Sequence, residues 1–132
     1  MTTMLGGLGR ITHHLRTMGE AHRQHRIAVA AYNVGQYGEA IGRAQAAITL
    51  TQTLPDSALF LSATFGTRIA AQQLLSMAAA RAGNSELALE TIRQVKPEIA
   101  GLLLAVRKRM KNPQQFEEWL EWARKYVAHH ER

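Results

Sequence analysis

The stretch IAVAAYNVGQYGEAIGRAQAAI, Ile27 to Ile48, decides the fold class. Ile27, Ala31 and Val34 recur at helical spacing, and beyond Gly35-Gln36 the small residues Ala40, Ala44 and Ala47 do so again, with Ile41 and Ile48 beside them. Gly35 stands where the first run stops, and glycine enters the left-handed conformation that closes a helix without a Cβ penalty. The segment therefore predicts two helices folded back on each other across a tight turn. Small side chains at Ala28, Ala40 and Ala47 let the two helices approach closely, and Tyr37 fills the gap at the turn.

Helical signals continue in both directions. Upstream, Leu8, Ile11, Leu15 and Met18 line one face of a basic lead-in helix over residues 1–18, which Gly19 is expected to separate from the hairpin at 20–54. Downstream, Pro55-Asp56 ends the second helix, and Asp56 or Ser57 can cap a stretch that is broken or kinked near Gly66-Thr67 and runs to Ala82. Gly83-Asn84 repeats the stop, a helix from Ser85 to Val95 follows, and Lys96-Pro97 is expected to begin another that reaches Lys111. Asn112 can then cap a last helix opened by Pro113, with Glu117 and Glu118 near its positive end. The expectation is an all-α chain of about seven helices. It forms one domain of 132 residues with hairpins at 20–54 and 57–95 and capping helices at 97–132.

A displacement of 48 residues lays Gly35 on Gly83, Ile27 on Leu75, Ala28 on Ser76, Ala31 on Ala79, Ala40 on Ala88 and Ala47 on Val95. Helix, glycine turn and helix coincide at one offset, the signature of an internal repeat. Ala28, Ala31, Gly35-Gln36-Tyr37, Glu39-Ala40-Ile41 and Ala47-Ile48 resemble the core of a tetratricopeptide repeat. The second copy is degenerate: Ser85 replaces the turn aromatic, and the spacing exceeds the family's period of about 34 residues. Tyr37-Gly38-Glu39-Ala40-Ile41, with Arg43, Gln45 and Ala47, is also similar to about a dozen residues of the Bro domain of endosomal-sorting adaptors, another helix-hairpin fold. The tetratricopeptide resemblance implies antiparallel hairpins stacked as a right-handed solenoid; a generic helix bundle is the alternative.

In such a hairpin stack, the resemblance puts His22, His25, Val29, Tyr32 and Asn33 on the concave face of the first repeat and Ala70, Gln73, Met77, Ala80 and Arg81 on that of the second. It implies a shallow, neutral-to-basic groove for an extended or helical peptide. Family members that clamp a terminal carboxylate use a basic, Asn-rich groove, from which these residues depart. On the C-terminal helix Phe116, Leu120, Ala123 and Val127 form the inward stripe. Trp119, Trp122 and Tyr126 fall on the flank, where aromatic residues anchor interfaces.

The chain carries a net charge of +6, with Arg107-Lys108-Arg109 and Lys111 as the densest basic patch. That patch suits phosphate or acidic protein contact, and equally compensates the dipole at the end of its own helix. His22 and His25 lie one turn apart, but no cysteine or carboxylate completes a metal site at recognised spacing, and Gly6-Gly7-Leu8-Gly9 follows no strand and lacks a phosphate-loop ending. No nucleophile, base and orienting group fall into a defensible arrangement. The expectation is a non-enzymatic chain without metal or cofactor that serves as an adaptor, scaffold or structural subunit and binds a protein subunit or peptide. A basic nucleic-acid-binding module and a secretion or assembly chaperone are the alternatives. The longest apolar run, Ile99 to Val106, is too short to span a bilayer. With no cysteine and no secretory pattern, a cytoplasmic location is expected. The start up to Met18, basic and free of acidic residues, raises a mitochondrial one.

Overall fold

The computed structural model describes residues 2–54, 58–106 and 113–130. Among these residues the chain is all helical: α1 (Thr2–Asn33), α2 (Tyr37–Gln52), α3 (Ala58–Arg81), α4 (Ser85–Val106) and α5 (Pro113–His130). These five helices pack as a bundle in which each contacts the next and α1 also contacts α3. None of them is long and apolar enough to cross a membrane, among the described residues.

Five helices rather than about seven result from two expected breaks that do not occur. Gly19 lies inside α1, where a glycine costs about 1 kcal/mol against alanine without interrupting the hydrogen-bond ladder. Thr17 and Ala21 are buried on either side of it, so tertiary contact holds the helix straight through. Pro97 lies inside α4. Proline removes one amide donor but keeps φ near its helical value. The kink expected near Gly66-Thr67 is likewise not a break, since α3 is continuous. α2 ends at Gln52, two residues before the expected Leu54, with the Thr53 amide donating to the Leu50 carbonyl at 3.2 Å and the Leu54 amide to the Thr51 carbonyl at 3.3 Å. α5 begins at Pro113 as expected, but its first turn holds no acidic residue: Glu117 and Glu118 come a turn later, where the dipole is weaker.

The turns after α1 and α3 are stereochemically alike. Gly35 and Gly83 both take φ of 80°, the left-handed region. The Gln36 amide donates to the Ala31 carbonyl at 2.9 Å and the Gly35 amide to Tyr32 at 3.1 Å, while Asn84 donates to Ala79 at 2.8 Å and Gly83 to Ala80 at 3.2 Å. Each turn is thus a Schellman closure that satisfies the last carbonyls of one helix. Gln36 and Asn84 then start the next, accepting from the Ala40 and Ala88 amides. Asn84 adds a side-chain cap, its Oδ1 accepting from the Leu87 amide at 3.2 Å.

Small residues set the helix spacing. Ala31, Ala40 and Ala78 meet near the first turn, and Ala28, Ala44, Leu74 and Leu75 meet below them, so α1, α2 and α3 share one seam. A second cluster of Ile69, Ile92, Val95, Phe116, Trp119 and Ala123 joins α5 to α3 and α4. Fully burying side chains of the Ile and Val size stabilises by roughly 1.5–3 kcal/mol each. Buried hydroxyls return to their own helices: Thr51 Oγ1 donates to the Ile48 carbonyl, Ser76 Oγ to Gln73 and Thr91 Oγ1 to Leu87, each at 2.7 Å.

Candidate partner-binding groove

The residues expected on the concave face lie on α1 and α3, which contact each other. His25, Val29 and Tyr32 on α1 and Ala70, Gln73, Met77 and Ala80 on α3 are all half-buried, while His22, Asn33 and Arg81 are exposed. Val29, Tyr32 and Met77 pack against the cluster of Ala28, Ala44, Leu74 and Leu75. Met77 also reaches the α5 cluster, so it sits where the two cores join. Tyr32 is held from its other side by Tyr37, edge to face with ring centroids 5.5 Å apart. The strip has a firm apolar floor and a water-accessible top.

One end of the strip opens into a pocket of about 270 Å³ between α1, the end of α2 and α3, lined by Met18, Gly19, Ala21, His22, Thr51, Leu54 and Thr67. Arg68 braces this end: its Nε donates to Thr51 Oγ1 at 3.1 Å and its Nη2 to the Thr51 carbonyl at 3.0 Å. The guanidinium thus neutralises the carbonyl end of α2. On the opposite flank of α1, Glu20 accepts from Gln24 at 2.8 Å and from Arg23, and these contacts hold its carboxyl below the usual range, Gln24 contributing most. Arg43 bridges from α2, donating to Gln24 Oε1 at 3.1 Å and pairing with Glu39 at 3.0 Å.

His25 has the least satisfied side chain of the strip. Its Nδ1 is buried without a hydrogen-bond partner, as is Oε1 of the buried Gln72. Burial lowers the pKa of His25 from its ordinary value, and the neighbouring His22 pushes the same way. Among the described residues no three His, Cys, Asp or Glu side chains gather as a metal-holding group.

The aromatic set divides. Trp119, expected on an interface flank, is 5% exposed and belongs to the intramolecular core. The reason is polar as well as apolar: its Nε1 finds a buried partner in Ser76 on α3. Trp122 and Tyr126 remain half-buried and stack at 5.2 Å, and Tyr126 stacks in turn on His130 at 4.0 Å. Burial raises the Tyr126 hydroxyl pKa. The basic patch Arg107, Lys108, Arg109 and Lys111 lies outside the described residues.

Two features escaped the sequence reading. The pocket needs side chains from three helices, and only tertiary structure brings Met18 and His22 to Thr51 and Thr67. Ile11 and Leu15, which periodicity places on one face of the lead-in helix, are 43% and 56% exposed. Every residue from Gly9 to His13 is exposed, so this part of α1 runs past the bundle. Compared with known proteins, the chain matches no family model, no curated protein and no solved structure.

Proposed function

We propose that the chain is a non-catalytic protein-interaction module, an adaptor or structural subunit of a larger assembly, whose tetratricopeptide-like hairpins present the α1 and α3 strip to a peptide or helix of a partner. The observation that supports this reading is the strip itself. Val29, Tyr32 and Met77 lie half-exposed over a continuous apolar floor, with His22, Asn33 and Arg81 open to solvent along its edge. Partly exposed aromatic and Met side chains over a rigid base supply binding area at low ordering cost.

The test is affinity purification of the full chain from its native cells, beside an Asn33→Glu/Arg81→Glu variant. Both positions are exposed, so the fold should survive and circular dichroism should stay unchanged. A stoichiometric protein partner held by the wild type and lost from the variant is the expected result. Absence of any such partner, or its indifference to the variant, counts against the reading.

A further inference from the structure

The strip on α1 does not stop at the bundle. His22, His25, Val29 and Tyr32 follow one another at spacings of three, four and three residues. The same alternation continues toward the N-terminus through Met18, Leu15 and Ile11, and Leu15 and Ile11 are large apolar side chains left exposed there. A four-three alternation keeps residues on one narrow face of a helix, the seam geometry that accepts a second helix rather than an extended strand. From Ile11 to Tyr32 the seam runs roughly 30 Å at the helical rise. Gly9 to His13, in its first part, are exposed throughout among the described residues.

Charge says what can cover it. The sequence of α1 and α3 together carries Arg10, Arg16, Arg23, Arg26, Arg68 and Arg81 against Glu20 alone. Glu20 is turned to the other flank, where Gln24 and Arg23 hold it. Arg10, Arg16, Arg26 and Arg81 are exposed. A second copy of α1 laid along this seam would bring arginine to arginine with no free carboxylate to offset the repulsion, so like-charge contact disfavours self-pairing.

Resting on the proposed function, we infer that the partner is an amphipathic helix with acidic residues flanking its apolar seam, and that it lies along α1 from the groove out onto the projecting Ile11 and Leu15. The apolar seam supplies affinity, and the arginines supply orientation and selection against basic helices.

The probe is a labelled designed peptide of three heptads with Leu at both seam positions and Glu at the flanking ones, beside a twin with Lys for Glu. Fluorescence anisotropy with the full chain should show binding of the acidic helix, weakened by salt, and at least about tenfold weaker binding of the basic twin. Leu15→Ser should weaken the acidic helix by about tenfold or more, the loss expected for one buried Leu side chain. Leu15 is more than half exposed, so the variant should fold normally. An acidic helix that fails to bind at about 100 µM, equal binding of both peptides, or indifference to Leu15→Ser overturns the inference. Binding of the chain to phosphatidylcholine vesicles containing about one-fifth phosphatidylserine, with no binding of the peptide, also overturns it in favour of a lipid surface. A native partner lost by Asn33→Glu/Arg81→Glu but kept by Leu15→Ser leaves the groove reading intact and removes only this extension.

Discussion

The indole N–H of Trp119 on α5 donates to Ser76 Oγ on α3 at 2.9 Å, in a buried contact between residues 43 apart in sequence. Ser76 Oγ in turn donates to the Gln73 carbonyl, so the indole completes a short chain of bonds between α5 and the central helix. This bond and the apolar cluster of Ile69, Ile92, Val95, Phe116 and Ala123 around it hold α5 against α3 and α4. Ser76→Ala should cost about 1–3 kcal/mol, the penalty for leaving a buried donor unpaired. Adding Trp119→Phe to Ser76→Ala should cost less than the two single changes together, because removing both partners removes the unpaired group. Denaturant unfolding of the four proteins measures the coupling, and strict additivity would contradict it.

Two kinds of glycine stand out among the described residues, and alanine substitution should separate them by sign. Gly35 and Gly83 sit at φ of 80° in the two turns. Gly35→Ala and Gly83→Ala should each destabilise by about 1–2 kcal/mol, since a Cβ strains that conformation. Gly19 and Gly42 lie within α1 and α2, and a Cβ at either meets nothing within 4 Å. Gly19→Ala and Gly42→Ala should therefore stabilise by about 0.5–1 kcal/mol. Thermal melts of the four variants check the opposite signs.

That contrast explains what could be read from the sequence. The turns at Gly35 and Gly83 were legible because left-handed closure is a local demand that glycine meets alone. Gly19 and Pro97 look like the same punctuation, but whether a helix survives them depends on what buries its sides, and burial of Thr17 and Ala21 is a tertiary fact. On α5, helical period allows both Trp119 and Leu120 to follow Phe116 inward. The choice fell to Trp119 because Ser76 waits on α3, a partner no local pattern announces. That Val29 and Met77 pair at a single 48-residue offset was legible, and both pack against one cluster. The exposure of Ile11 and Leu15 was not, since it depends on where the neighbouring helices end.

Arg68 should matter to the end of α2 more than its place on a half-buried flank suggests. Its two bonds to Thr51 reach the hydroxyl of a residue that is 1% exposed and a carbonyl in the last turn. Arg68→Met should cost about 1.5–3 kcal/mol, the range for hydrogen bonds to a charged group. Thr51→Val should cost less from loss of the hydrogen bond, because the bond to the Thr51 carbonyl remains. Amide exchange should quicken first at Leu50 to Leu54 in the Arg68→Met protein. Equal protection of that segment in both variants would refute the bracing role.

His25 gives the chain an acid sensitivity of definite sign. Burial and the nearby His22 lower its pKa in the folded state, so the unfolded chain binds a proton that the native chain resists. The stability tied to neutral His25 is complete above the unfolded value of about 6.5 and is lost as pH falls through the folded value. The lowered pKa of Glu20 acts in the same direction but in the carboxylate range, below the histidine window. The midpoint of thermal unfolding should thus drop between about pH 7.5 and 5.5. His25→Gln should flatten that slope, and His22→Gln should flatten it less, because His22 contributes only the smaller, coulombic part of the shift. A slope that persists unchanged in His25→Gln would assign the acid sensitivity to other groups.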